Sequence, residues 1–450
     1  MRVLQISCSY FPKKVGGTEV YVHNLSKELI SRGHQVFINY MDEFCEENAP
    51  RIRMKEYVFE ELPVTVIEKN FFGLKTKQLY FESDRENSRL FKDYLQRIQP
   101  NIVHFHHFSP TDVINQMEVA KRMHLPVIFT YHTPMMTCGQ SGMLYQGKRV
   151  CLGRVNYKRC LICTQTKYNI PLPIAWIWAN LPRGIASALG KTIVGSGLRS
   201  RFATWLQLPW LTRARMDKWE LGFKMIDRFV AVCQWVLELL LINNVPEEKI
   251  TLCRQGIGQM PLIKKRQSDD ILHLGYLGRI HPVKGIDVLL RALKLIPSNL
   301  KVELSIYGSY GEDKFAKKYH DKLYKQYCND SRIKWQGLLS EGEKFQALSQ
   351  LDVLVIPSAW LETGPLVLLE SWAAGTPVIG SNLGGIAELV NDGTNGLLFK
   401  RGDARDLSRL IMQVYNDPDL LEKLKTGIPG VRTMREVVDD MEILYQKVIK

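Results

Sequence analysis

Two acids, Glu362 and Glu370, flank a Gly-Pro pair in the C-terminal half of a 450-residue chain. The stretch Ser358-Ala359-Trp360-Leu361-Glu362-Thr363-Gly364-Pro365 follows Val353–Ile356, a short apolar run that reads as a buried strand. Pro365 opens an apolar helix over Pro365–Ala374, and Gly375 closes it, the common Pro-first, Gly-last asymmetry. Glu362 is therefore placed in the loop before a helix and Glu370 within it. They are not a same-face helix pair; each can reach a different part of one ligand lying across the helix mouth. Amides at a helix start attract anions, and Gly364 lets a diphosphate approach the backbone. Carboxylates suit vicinal hydroxyls, because each oxygen accepts charge-assisted hydrogen bonds. Two carboxylates would also repel a phosphate unless cations intervene. Arg279 and Lys284 supply them from a second strand-to-helix loop, Gly278–Gly285; an Arg fork and a Lys point charge suit a diphosphate leaving group. Taken singly, the two acids would be ordinary solvated charges and Arg279 a surface ion-pair partner.

The elements needed to hold these loops alternate along the chain. In the first half, Val3–Ser7, Gln35–Tyr40, Ile102–Phe105 and Pro126–Thr130 read as strands, and Glu19–Arg32, Leu90–Ile98 and Asp112–Arg122 as helices. In the second half, strands at Leu272–Tyr276, Val302–Tyr307, Ile333–Gln336, Val353–Ile356 and Pro377–Gly380 alternate with helices at Gly285–Leu295, Lys314–Tyr327, Glu343–Ser349 and Pro365–Ala374. Such alternation predicts an α/β chain with two doubly wound, Rossmann-like parallel sheets. The expected division is a first domain over 1–264, a second over 265–433, with the boundary near the polar stretch Lys264–Asp270, and a last helix over 434–450 that crosses back to the first. The ligand is expected in the cleft between the domains, at the carboxyl ends of the strands.

Residues 133–217 break the alternation and read as an insertion in the first domain. Cys138, Cys151, Cys160 and Cys163 lie in it, the last two spaced as in a zinc knuckle; four thiolates complete a tetrahedron. Structural zinc is the expectation, with an iron–sulfur cluster as the runner-up. From Leu181 to Val230, nine Lys or Arg accompany three Asp or Glu together with Trp205, Trp210 and Trp219, with Trp176 and Trp178 just before. That mixture suits a membrane interface, or a core helix pair with a solvated basic face. His104, His106 and His107 resemble a metal cluster. Alternation puts the first two on one face and His107 opposite, which favours hydrogen bonding or ligand contact over metal.

The net charge of +14 favours anionic partners, with 45% hydrophobic and 24% charged residues typical of a folded globular chain. No nucleic-acid recognition motif accompanies the charge. The N-terminal run MRVLQISCSYF is too short for a leader and reads as a first strand, and no apolar stretch of about 20 residues predicts a membrane span. A cytoplasmic protein is expected, with peripheral attachment to the inner face of the plasma membrane.

Taken together, Glu362-x7-Glu370, Gly375-Thr376-Pro377-Val378-Ile379, Gly384–Val390, Asn395–Leu398, Gly16-Gly17-Thr18-Glu19 and Tyr131-His132-Thr133 resemble the signatures of the retaining glycosyltransferases of family 4. Each glycine pair is a weak signal; the motifs in order are strong. The resemblance implies a GT-B fold, two Rossmann-like domains facing across a cleft, with a nucleotide-sugar donor on the second and the acceptor on the first. It implies that Glu370 binds ribose hydroxyls and Glu362 the transferred sugar. Arg279 and Lys284 would neutralise the diphosphate, and the backbone at Gly364, Pro365, Leu366 and Val367 would cradle it. Gly17 would permit close approach of donor and acceptor, and His132 would help align the sugar. The expected reaction moves a sugar from a UDP- or GDP-sugar to a glycan or lipid-linked glycan of a cell-surface polysaccharide. It would proceed with retention and without a catalytic divalent metal. The competing readings are a GT-B-like nucleotide-sugar epimerase or phosphorylase and a non-catalytic sugar-nucleotide-binding scaffold.

Overall fold

The computed structural model describes residues 1–13, 16–70, 72, 85–109, 112–182, 184–185, 188, 201–264, 266–267 and 269–449. The chain divides into two compact units, Met1–Cys253 with Val437–Lys450, and Arg254–Glu436. The division precedes the polar stretch at 264–270. The intervening residues dock on the second unit: Ile257 donates to the Arg432 carbonyl, and the Lys264 carbonyl accepts from the Gln346 and Gln350 side chains.

The strands of the first unit are β1 (Arg2–Ser7), β2 (Gln35–Phe44), β3 (Ile52–Phe59), β4 (Leu62–Asn70), β5 (Ile102–Phe105), β6 (Val127–Tyr131), β7 (Leu144–Tyr145), β8 (Arg149–Val150), β9 (Arg228–Ala231) and β10 (Ile250–Leu252). Its helices are α1 (Gly17–Ser31), α2 (Arg85–Ile98), α3 (Asp112–Arg122), α4 (Tyr157–Lys167), α5 (Leu172–Asn180), α6 (Arg201–Met225) and α7 (Gln234–Ile242). The main sheet has the order β10-β9-β6-β5-β1-β2-β4-β3, parallel except for the β3–β4 hairpin. That hairpin is absent from the sequence reading. Its two-residue turn is Glu60-Glu61, both at positive φ, in place of the Asn-Gly or Asp-Gly that marks such turns. Residues 133–217 lie between β6 and β9, which pair directly; a single crossover helix would suffice to join such strands. The C-terminal helix Met434–Ile449 buries Tyr445, and Glu442 on it pairs with Arg32 at 2.9 Å and His34 at 2.6 Å.

The second unit contains β11 (Leu272–Leu277), β12 (Val302–Tyr307), β13 (Ile333–Gly337), β14 (Val353–Ile356), β15 (Val378–Ser381) and β16 (Gly396–Phe399). Its helices are α8 (Ile286–Leu295), α9 (Lys314–Tyr327), α10 (Glu341–Ser349), α11 (Leu366–Ala373), α12 (Gly384–Leu389), α13 (Ala404–Asn416) and α14 (Pro418–Thr426). The sheet is wholly parallel in the order β13-β12-β11-β14-β15-β16. Side-chain alternation along β14 shows both faces covered. Val353 and Val355 pack with α8 and α13, whereas Leu354 and Ile356 pack with α10 and α11.

Candidate functional site

The order of the second sheet reverses between β11 and β14. The chain leaves β11 for the layer of α8 and leaves β14 for the layer of α11. The two loops therefore diverge at the carboxyl ends of neighbouring strands, the position where open α/β sheets bind ligands. They are tied to each other: the Ala359 amide donates to the Val283 carbonyl at 2.8 Å. Gly285, at φ 69°, packs so closely that a Cβ there would lie 1.9 Å from the Pro357 carbonyl oxygen. A third loop, after β15, closes on the second, with the Gly385 amide donating to the Glu362 carbonyl at 2.7 Å. A Cβ on Gly385 would lie 2.6 Å from the Gly364 nitrogen. The glycine pair at 384–385 is thus a packing requirement of the Glu362–Gly364 turn.

Glu362 is buried in this junction. Its Oε1 accepts from Lys284 Nζ at 2.7 Å, Ser358 Oγ at 2.6 Å and Trp360 Nε1 at 2.7 Å. Burial alone would push the carboxyl up. The Lys284 charge and the three hydrogen bonds outweigh it and hold Glu362 below the usual carboxylate range. Lys284 also lies 5.3 Å from the centre of the Trp360 ring. Glu370, on α11, is equally buried and pairs with Lys344 of α10 at 2.6 Å. The two acids thus have separate lysines, Lys284 with Glu362 and Lys344 with Glu370. Arg279 is exposed, and its guanidinium makes no side-chain hydrogen bond among the described residues.

Pro365 caps α11 without a side-chain hydrogen bond, and the helix amides bond back to it only from Leu368. Leu366 and Val367 are therefore the first amides of the helix mouth, with Gly364 at φ 120° just before them. Ser358 and Lys344 were not read from sequence as site residues. Ser358 was within the quoted motif but had no distinguishing pattern. Lys344 belongs to another helix, and only the packing of α10 on α11 brings it to Glu370. The one Asp-x-Asp triplet in the sequence, Asp417-Pro418-Asp419, serves as a helix start: Asp417 accepts from the Leu420 amide at 3.0 Å.

In the first unit, Gly17 is exposed at the start of α1, and Gly16 precedes it in extended backbone. His132, at the end of β6, is buried and 3.0 Å from His106, which reaches Gln5 Oε1 at 2.7 Å. With the Gln5 oxygen accepting, His106 carries its proton on Nε2, and His132 Nε2–H donates to His106 Nδ1. His104 bridges Tyr445 and Thr130, each at 2.7 Å. Burial lowers all four histidines: His104 and His132 to about 3, His107 to about 4 and His106 well below its ordinary value. They are neutral at pH 7; His132 and His106 are hydrogen-bonded to each other, and the His104 ring lies against His106 with centroids 4.0 Å apart.

The four cysteines converge. The Cys151 amide bonds the Met143 carbonyl, and Cys163 Sγ lies 3.1 Å from the Gln146 amide and 3.2 Å from the Gln140 amide nitrogen. Burial raises Cys163 to about 11 and also raises Cys160. Among the described residues, however, no three His, Cys, Asp or Glu side chains are arranged to hold a metal ion. The zinc expectation, and the iron–sulfur alternative with it, therefore gains no support from the side-chain positions. Of the two expectations for the basic segment, the tryptophans agree with the packed helix pair. Trp178 and Trp205 meet in a tilted arrangement with ring centroids 5.3 Å apart, as do Trp219 and Phe223 at 4.4 Å, and the indole nitrogens of Trp178, Trp205 and Trp219 are turned away from solvent. No described helix is long and apolar enough to cross a membrane.

Residues 263–429 match the family model described as Glycosyl transferases group 1, and residues 15–160 match that described as Glycosyltransferase Family 4. The chain is 33% identical over 149 residues to an uncharacterized glycosyltransferase of Methanocaldococcus jannaschii, 33% of this chain and 40% of that one. It is 29% identical over 196 residues to the lipopolysaccharide core biosynthesis glycosyltransferase LpsE of Rhizobium meliloti, 42% of this chain and 51% of that protein. The similarity thus spans about half or less of these relatives. Among solved structures, the chain resembles Anabaena HepE in complex with UDP and glucose, with a TM-score of 0.62 at 14% identity over 99% of both chains. It also resembles sucrose-phosphate synthase from Thermosynechococcus elongatus, with a TM-score of 0.64 at 18% identity over 99% of this chain and 98% of that one. The fold is GT-B, built from two Rossmann-like units.

Proposed function

We propose that this GT-B chain, with a glycosyltransferase family match in each half, transfers a sugar from a nucleoside-diphosphate sugar to a glycan or lipid-linked glycan acceptor. The observation that carries the reading is Glu362, buried under three donors at the mouth of α11, at the point where the second sheet reverses its order. A buried, ionised carboxylate beside a helix start fits a bound polyol next to a diphosphate better than it fits an acid/base couple. UDP is the favoured nucleotide, because the HepE neighbour was solved with UDP and glucose.

In this reading, Glu362 holds hydroxyls of the transferred sugar, and Lys284 keeps it ionised. Glu370 holds the ribose. Arg279 and the amides of Gly364, Leu366 and Val367 take the diphosphate, with Pro365 fixing the turn. Cleavage builds oxocarbenium character on the sugar and negative charge on the departing phosphate. Stabilising that charge with groups already in place is the main catalytic contribution. The departing phosphate accepts the acceptor's proton, so no enzyme nucleophile is used and the anomeric configuration is retained. Arg279 and the helix mouth perform this without a divalent metal. Neutral His132 aligns the sugar, and Gly17 allows the acceptor to approach. The cysteine cluster lies outside this chemistry. Stoichiometric zinc by metal analysis would reveal a ligation that the described side chains do not themselves form.

The test is a thermal-shift screen of UDP- and GDP-sugars, with Glu370→Ala as the control. Stabilisation by one donor family, lost in Glu370→Ala, is the expected result. Loss of turnover in EDTA, restored by magnesium, would overturn the metal-free mechanism. No response to any sugar nucleotide would overturn the reading as a whole.

A further inference from the structure

The segment between β6 and β9 has an unusual charge pattern. Residues 133–216 contain twelve Lys or Arg and no Asp or Glu. Within it, α5 reads Leu172-Pro173-Ile174-Ala175-Trp176-Ile177-Trp178-Ala179-Asn180, without a single charge. A helix apolar on every side belongs in a core or in lipid. This one buries only one face. Ala175 and Ala179 are fully covered, and Trp178 leans on Trp205 of α6. The other face shows Leu172, Ile174, Trp176 and Ile177 to solvent, with Trp176 61% and Ile177 58% exposed. Contiguous large apolar side chains left in water mark a binding surface.

The charge around α5 identifies what covers it. Lys158, in the first turn of α4, is exposed and bonds Asn180 at the end of α5 at 2.6 Å. Its neighbour Arg159 lies over Tyr145 of β7, and the β7–β8 hairpin carries exposed Lys148 and Arg149. A second copy of this face would oppose two uniformly basic segments, and their repulsion disfavours it. Nucleic acid would meet the charges but leave four large apolar side chains without a partner. An anionic bilayer satisfies both features: the apolar face enters the acyl boundary, Trp176 sits at headgroup level and the lysines and arginines meet lipid phosphates. We propose that α5 is the element by which this protein docks on anionic membrane, with Lys148, Arg149 and Lys158 as its electrostatic contacts. Trp205 of α6 supports α5 from behind through Trp178. This inference does not rest on the transferase reading, since binding is measured without turnover.

The experiment is flotation of the full chain with vesicles of phosphatidylcholine, with and without phosphatidylglycerol, at low and physiological salt. Wild type is expected to float with the anionic vesicles and much less with the neutral ones. Trp176→Glu/Ile177→Glu is expected to lower partitioning about tenfold or more, since each change removes apolar burial and adds a repelled charge. Lys148→Glu/Arg149→Glu is expected to weaken binding and flatten its salt dependence. Both positions are exposed, so unchanged melting temperatures will show that the variants fold. Absence of wild-type flotation at low salt overturns the proposal, as does wild-type partitioning of the Trp176→Glu/Ile177→Glu variant. A dimer in size-exclusion light scattering that this variant converts to monomer, without vesicle binding, would assign the face to a second copy instead.

Discussion

Replacing Glu362 with Gln isolates the charge at the centre of the site. The amide keeps an oxygen that can accept from Ser358 and Trp360, so the change removes mainly the ion pair with Lys284. Breaking a buried pair by removing one partner costs about 3–5 kcal/mol when the survivor is trapped without solvent. Lys284 is not trapped, since its side chain keeps 23% exposure and can turn to water. The loss should then be that of one charged hydrogen bond, about 2 kcal/mol. For a unit the size of Arg254–Glu436, that lowers the melting temperature by roughly 4–8 °C. The pH dependence gives the reasoning a second check. Glu362 is held below its ordinary value, so its contribution is complete above the unfolded value of 4.5 and is lost as the pH falls through the lower folded value. Wild type and Glu362→Gln should therefore differ fully at pH 6–7 and converge in the acid range below 4.5. Calorimetry on both proteins across that range reads it directly. A variant as stable as wild type at neutral pH would refute the buried-pair account, and so would a gap that persists unchanged in acid. Turnover is expected to fall about tenfold or more, with nucleoside diphosphate affinity little changed, because the carboxylate is assigned to the sugar.

Three other outcomes follow from the same geometry. Gly285→Ala places a Cβ against the Pro357 carbonyl at a positive φ; it should destabilise the second unit by about 2 kcal/mol or more and abolish nucleotide-induced stabilisation, both measurable by thermal shift. Arg279→Ala should leave the unliganded stability within about 0.5 kcal/mol of wild type, because the exposed guanidinium makes no side-chain hydrogen bond among the described residues, yet weaken nucleoside diphosphate binding about tenfold by calorimetry. The neutral histidines make the first unit acid-sensitive. Their folded values are lowered, so the unfolded chain binds more protons between about 4 and 6.5, and stability contributed above 6.5 should fall as the pH drops through that window. A melting temperature for the first unit that stays flat from pH 7 to 5 would contradict the burial of His104, His106 and His132 in neutral form.

How much of this was legible depended on whether a feature was local. The strands at Ile102–Phe105 and Val353–Ile356 and the helices at Asp112–Arg122 and Lys314–Tyr327 match their sequence expectations, because continuous apolar runs or strong helical periodicity define each one by itself. The β3–β4 hairpin escaped because Glu60-Glu61 adopts a turn that its residue types do not advertise. Trp205 and Trp219 were read with the basic residues around them, and only tertiary packing showed that they face inward, leaving α5 as the exposed apolar helix. The four cysteines were expected to hold a metal, but sequence spacing could not give the orientation of their sulfur atoms, and among the described residues no such ligand set is formed.

The acid pair shows the same division between what is local and what is not. From sequence, two carboxylates next to a phosphate site posed an electrostatic problem, and assigning both Arg279 and Lys284 to the diphosphate solved it. The structure solves it earlier. Glu362 is neutralised by Lys284 and Glu370 by Lys344, a residue 26 positions away from Glu370 in the chain. Each buried carboxylate therefore forms part of a neutral pair, and the junction carries little net charge before Arg279 and the amides of α11 are counted. Those last groups are then enough to make the helix mouth attractive to an anion. In the proposed reading, Lys284 holds Glu362 ionised as an acceptor for hydroxyls, Lys344 pairs with Glu370, and the diphosphate is left to the exposed arginine and the backbone. A site arranged in this way suits a ligand that presents hydroxyls on both sides of a diphosphate, which is the chemical outline of a nucleotide sugar.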